Sequence, residues 1–266
     1  MPVSQRSMLA VLMRETLSNS RHLSIAIAAC AALSVACYLV KAAAAASPSV
    51  PAPSTLSGTA RLEGPVPKPA RIVMAADQNC AKAHPAGATG EDVVVGAHGG
   101  LGNVIVYIAS GLASQTYDPP ATPATLEQKG CMYEPHVIAV QANQKLDILN
   151  EDGTLHNIHP MPRNNREWNK AQPPGTQPVE ETFPREEIAI PVKCNVHPWM
   201  KSYIAVFKHP YFSVTSKDGS FAIPNLPPGN YTLVAWHEKF GTQTQQISVG
   251  PGSTDKVDFV FKSQGN

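Results

Sequence analysis

The sequence predicts an all-β protein built from sandwiches. Two observations carry this. After Ala46, short runs rich in Val, Ile, Tyr and Phe alternate with Gly/Pro turns, and no stretch sustains a helical period over a convincing length. Proline is also abundant, with 25 in 266 residues, which suits strands joined by turns.

Before that β-rich part comes a targeting segment. Arg6, Arg14 and Arg21 precede the apolar run Leu23 to Val40, and small residues follow it up to Ala46. This order is that of a cleavable signal. At 18 residues the run is also long enough for an uncleaved anchor helix, which would attach the chain to a membrane through residues 23–40. Ile27 to Cys30 resembles a lipobox, but the apolar run continues past Cys30. Residues 1–46 hold four of the 21 basic and one of the 20 acidic residues, so the exported remainder is near −2. No basic field or motif points to nucleic acid. The expected location is periplasmic or otherwise extracytoplasmic.

Residues 47–57 read as an extended linker. GTARLEGPVPKPARIVM reads as strand, Pro/Gly turn and strand, and GGLGNVIVYIA carries a fuller strand from Asn103 to Ala109. Together they give an N-terminal β segment over 58–112, in which Asp77 to His98 is polar and expected to be loop. HVIAVQANQKLDILNEDG reads as two strands joined at Ala142 to Gln144. IAIPVKC and KSYIAVF read as two more, and Pro160 to Pro184 as a long loop of the kind that often carries function. The tail VTSKDGSFAIPNLPPGNYTLVAWHEK reads as strands parted by Asp218-Gly219 and Pro228-Gly229 turns.

Export changes the reading of cysteine. Cys80, Cys131 and Cys194 follow the targeting segment, and an odd number leaves one thiol over. The simplest division is a Cys80–Cys131 disulfide with Cys194 free; the alternative is a buried free thiol at each site.

Cys194 lies in KCNVHPWM, between two strands. Cys194, His197 and Met200 offer a soft thiolate, an imidazole and a weak thioether. Tetrahedral zinc sites usually gather more thiolates or imidazoles. Two His, one Cys and a weak axial Met form the blue-copper donor set. LHNIH, directly after the strand KLDILNEDG, supplies His156 and His159 as candidates for the second imidazole.

LDILNEDGTLHNIH followed by CNVHPWM resembles the cupredoxins, amicyanin and plastocyanin especially, over about Pro135 to Lys208. The resemblance implies a Greek-key β-sandwich over 130–208 with one type 1 copper on His156, Cys194, His197 and Met200. It favours His156 over His159, which remains an extra candidate ligand or a surface imidazole. It also places Asn157 beside the Cys sulfur and His197 near the surface, where electrons leave. Pro198 would stiffen the loop. Trp199 either packs beneath the loop or presents an aromatic patch to a partner, and Trp168 either anchors the long loop or adds a second aromatic contact. The chain departs from the family before Cys194, where FPREEIAIPVKC puts Pro191 inside a strand.

Residues 212–261, with DGSFAIPNLPPGNYTLVAWH, resemble the carboxypeptidase regulatory-like, transthyretin-type sandwich. A second small sandwich is therefore expected over 211–263. GTARLEGPVP reads like that fold's opening strand, so the copper domain is either in tandem or inserted into a split sandwich. The function implied is an exported carrier of single electrons without substrate chemistry. Its partner would be a redox protein such as a c-type cytochrome or a membrane oxidoreductase. The alternatives are a copper-dependent oxidoreductase subunit and a copper-binding or delivery module; methionine-rich repeats, which delivery would favour, are absent from the sequence.

Overall fold

A computed structural model describes residues 52–263. The apolar run 23–40 and the cleavage region lie outside them. No helix among the described residues is long and apolar enough to cross a membrane.

Strand β1 (Ser54–Glu63) is followed by β2 (Arg71–Ile72), helix α1 (Gln78–Ala83), β3 (Ala88–Thr89), a 3₁₀ turn (Ala97–Gly99) and β4 (Ile105–Ser110). Then come β5 (Ala124–Lys129), β6 (Met132–Glu134), β7 (Val137–Gln141), β8 (Leu146–Asn150), β9 (His156–Pro160), β10 (Lys170–Gln172), β11 (Val179–Glu181), β12 (Glu187–Lys193) and β13 (Lys201–Phe207). The tail holds β14 (Phe212–Val214), β15 (Ser220–Leu226), β16 (Gly229–His237), β17 (Gly241–Val249), β18 (Thr254–Lys256) and β19 (Phe259–Lys262).

Pairing divides the strands into two sandwiches. β1 pairs with β15, β18 and β19, while β4 pairs with β14 and β16. Both early strands thus belong to the sheets of the tail. The chain leaves that sandwich after β4 and rejoins it at β14, where Phe212 lies opposite Tyr107. Between these points two further sheets form, ordered β10-β9-β12-β13-β7 and β11-β8-β5-β6.

Apart from the two-stranded β2-β3 ladder, the four sheets enclose three apolar layers. Leu56, Val106, Ile108, Leu233 and Phe259 fill the first sandwich. Leu126, Ile148, Ile190, Ile204 and Val206 fill the second. Ile105, Val137, Ala205 and Phe207 form a thinner layer between the sandwiches. β4, β7 and β13 therefore alternate between two cores instead of between core and water. This is why VIVYIA, VIAV and YIAVF read as continuous apolar runs. Each such side chain, when fully buried, contributes about 1.5–3 kcal/mol. At the rim of the middle layer buried His136 pairs with Glu238, whose other carboxylate oxygen accepts from Tyr203 (3.3 Å) and Lys201 (3.4 Å).

Several expectations need correction. Ser54 to Ser57 belong to β1, with Leu56 fully buried, so the linker is shorter than 47–57. Asp77 to His98 is not simply loop, because Asp77 caps α1 by accepting from the backbone of Asn79 and Cys80. Pro160 to Pro184 contains β10 and β11, each of three residues and too short to show a period. The second sandwich also starts before residue 130, since β5 runs parallel to β8. β7 and β8, the two strands read on either side of Ala142 to Gln144, lie in different sheets. Pro191 stays within β12, opposite Tyr203, after a register shift that leaves Ala189 at φ 59°.

Candidate metal centre

The centre forms at one pole of the second sandwich. β9 delivers His156 at its first position, and the turn between β12 and β13 delivers Cys194, His197 and Met200. That turn closes on itself through Cys194 N–H to Met200 O (3.2 Å) and Met200 N–H to His197 O (3.0 Å). All four side chains are buried; His156 and Met200 have no exposed surface.

His156, Cys194 and His197 each place a ligand atom within 4.8 Å of the others. Nδ1 of His156 is 2.9 Å from Nδ1 of His197, and Cys194 Sγ is 4.0 Å from the latter. Each ring is held from its far side. His156 Nε2 donates to Asp152 Oδ2 (2.8 Å), and His197 Nε2 donates to Asp77 Oδ2 (3.1 Å). With both Nε2 atoms carrying the proton, two Nδ1 lone pairs face each other in a buried space. That arrangement needs an electrophile between them, either a proton or a metal ion. Two nitrogens on one ion at about 2 Å each would sit about 3.3 Å apart in a tetrahedral array. The donors therefore fit a small, nitrogen- and sulfur-preferring metal.

In the metal-free protein a proton on one Nδ1 can bridge the pair, and the charges around it favour such a positive centre. Burial alone would push Cys194 up, but hydrogen bonding with His156 and nearby backbone amides holds its thiol below the ordinary value. His156 is likewise opposed by burial, and Asp152 and Cys194 carry it up to about 9. Burial would raise Asp77, yet bonds from Thr154, His197 and the α1 backbone bring it down to about 2.

Asn157 holds the sulfur side. Its Oδ1 accepts from the Asn195 amide (2.6 Å) and lies 3.4 Å from Cys194 Sγ. The His197 amide also points at that sulfur, at 3.4 Å. Pro198 is exposed at the turn. His159 is outside the cluster and bonded to Glu167 (2.7 Å). An odd spacing from His156 turns it to the other face of β9. Trp168 packs near Phe183, with ring centroids 6.4 Å apart.

His197 does not lie near the surface, contrary to expectation: only 3% of it is exposed. The stretch from β2 to β3 lies across it. This stretch departs from the first sandwich but contributes Met74, Cys80 and Ala88 to the second core. Cys80 is joined to Cys131, and Cys80 Sγ lies 3.6 Å from His197 Nε2. Trp199 is half-buried beside His197, centroid to centroid 5.0 Å, and donates Nε1–H to Cys131 O (3.0 Å). It is therefore part of the packing under the loop rather than a freely presented ring. Asp77 and Asp152 were not singled out from sequence. Asp152 sits four positions before His156, and Asp77 has a helix-capping position before Cys80, but neither spacing by itself names a partner.

Residues 204–262 match the model of a family described as carboxypeptidase regulatory-like domain. The match begins within β13 and runs through β19, and it omits β1 and β4, which complete the first sandwich. No curated protein matches the chain. Among solved structures, a methionine-to-alanine mutant of amicyanin in its Cu(I) form is 19% identical, covering 38% of this chain and 97% of that one at a TM-score of 0.29. A purple cupredoxin from Nitrosopumilus maritimus is 20% identical over 31% of this chain and 98% of that one, at 0.27. A copper-containing nitrite reductase from Thermus scotoductus SA-01 is 19% identical over 38% of this chain, at 0.31, and the match spans 26% of that enzyme. The described residues are mostly β, part of the tail matches the regulatory-like family, and cupredoxins are among the structural neighbours.

Proposed function

We propose that this chain is an exported carrier of single electrons that holds one type 1 copper on His156, Cys194, His197 and Met200. The observation that carries the reading is the pair of Nδ1 atoms, 2.9 Å apart, facing each other beside a buried thiol. Bound copper would supply a one-electron Cu(II)/Cu(I) couple at this point.

The chain's own residues supply the rest. Cys194 is poised toward thiolate by the amides and side chains around it. Asn157, Asp77 and Asp152 hold the sulfur and both rings from outside. The donors are enclosed by packed side chains, so little has to move on electron gain or loss. An enclosed set of this kind suits electron carriage better than a substrate-binding centre, which needs an open metal position. The proposed partner is a redox protein such as a c-type cytochrome or a membrane oxidoreductase. The Cys80–Cys131 disulfide supports an oxidising, extracytoplasmic location.

Absorption and EPR spectra of the copper-loaded protein test this. An intense visible thiolate-to-copper band with one copper per chain is expected. A copper-loaded protein without that band overturns the reading.

A further inference from the structure

The two carboxylates behind the histidines are built into one clamp. Asp152 accepts the backbone N–H of Gly130 and of Cys131 at 2.7 Å each, and its Oδ2 also accepts from His156. Asp77 accepts the N–H of Asn79 (2.8 Å) and Cys80 (3.2 Å) on Oδ1, and Thr154 Oγ1 (2.8 Å) together with His197 on Oδ2. Each carboxylate is thus oriented by the backbone of one disulfide half. The Cys80–Cys131 bond ties the halves together. Thr154 links Asp77 back to the loop that carries Asp152 and leads into His156.

From this geometry we infer that Asp77 and Asp152 are positioning residues that fix both ligand imidazoles as Nε2–H tautomers and set the reduction potential of the centre. The inference rests on the copper reading for its second half only. A carboxylate acceptor on Nε2 leaves Nδ1 as the sole lone pair pointing inward and raises the basicity of the ring. Two anionic groups behind the ligands also favour the more positive metal state, so they lower the potential. The low exposure of His156 and His197 keeps water from taking over either role.

The first test needs no metal. Nitrogen-15 NMR of the copper-free protein should show a proton held at Nε2 of both rings, with at most one further proton shared between the two Nδ1 atoms. Asp77→Ala should release His197 into a tautomer mixture, and Asp152→Ala should do the same for His156. The second test uses copper. Asp77→Asn and Asp152→Asn keep an acceptor (and, for Asp77, a helix cap) but remove charge, so each should raise the potential while the visible band persists. The alanine variants should weaken copper binding about 10–100-fold. Glu167→Gln, which alters the partner of His159, should change neither tautomers nor potential. A wild-type thiolate band combined with unmoved tautomers and potentials in the Asp variants overturns the inference and spares the copper reading. A wild type without the band overturns the copper reading, and the metal-free tautomers still decide whether the carboxylates position the rings.

Discussion

Asp77 Oδ2 accepts from His197 Nε2 at 3.1 Å, across 120 positions of sequence. The contact closes the second sandwich's pole with a segment that starts in the first. It also turns the expected exit for electrons into a covered one, because the imidazole edge of His197 faces a carboxylate and a disulfide in place of solvent.

On the copper reading, Cys194 is the residue on which the visible spectrum would depend. Cys194→Ser should abolish the thiolate band, since an alcohol oxygen cannot replace a soft thiolate. Met200→Leu should retain copper and shift the potential, because a thioether is a weak donor. Unchanged colour in Cys194→Ser would refute the assignment; complete copper loss in Met200→Leu would make Met200 a stronger ligand than proposed.

His156 and His159 should separate cleanly. His156→Ala should open the centre and broaden or erase its spectrum, whereas His159→Ala should leave it near wild type. The distinction follows from their opposite faces and from the His159–Glu167 pair. The reverse result would mean that the ligand register is off by three residues.

Replacing Cys80 and Cys131 together with Ser should cost about 4 kcal/mol, the chain-entropy value for a loop of this length, given the separation of 51 residues. Denaturant titration measures it. Copper should also dissociate faster, because both carboxylates lose their tether. A double variant as stable as wild type would show that packing of α1 alone holds the cover.

Trp199→Ala should keep copper bound yet slow electron exchange with a physiological partner, as the half-buried ring sits beside His197 with centroids 5.0 Å apart. Stopped-flow exchange at matched potentials decides it. Equal rates would leave Trp199 a packing and hydrogen-bonding residue beneath the disulfide.

His237 should make the copper-free protein less stable in mild acid. Burial lowers it from 6.5 to about 4. As pH falls below 6.5 the unfolded chain takes up a proton that the folded chain refuses until about pH 4, so stability declines across that window. It should amount to about 3 kcal/mol, from a ring that is 1% exposed. His209 acts in the same direction. His237→Gln should flatten the decline between pH 4.5 and 6.5; an unchanged slope would locate the sensitivity elsewhere.

Sequence by itself determined the strand-rich class, because alternating or continuous apolar runs between Gly/Pro turns are local signals. The donor types were legible too: Cys194, His197 and Met200 lie within seven residues, and His156 heads a strand that any sandwich would bring to a pole. Tertiary structure alone decided which strands share a sheet, since β1 and β4 pair with partners about 100 to 200 positions away, and no local pattern encodes such pairing. It alone enclosed His197. The residues that do so, Asp77 and Cys80, read locally as a helix cap and a disulfide half; their second role exists only because long-range packing lays that short helix against an imidazole from the other end of the domain.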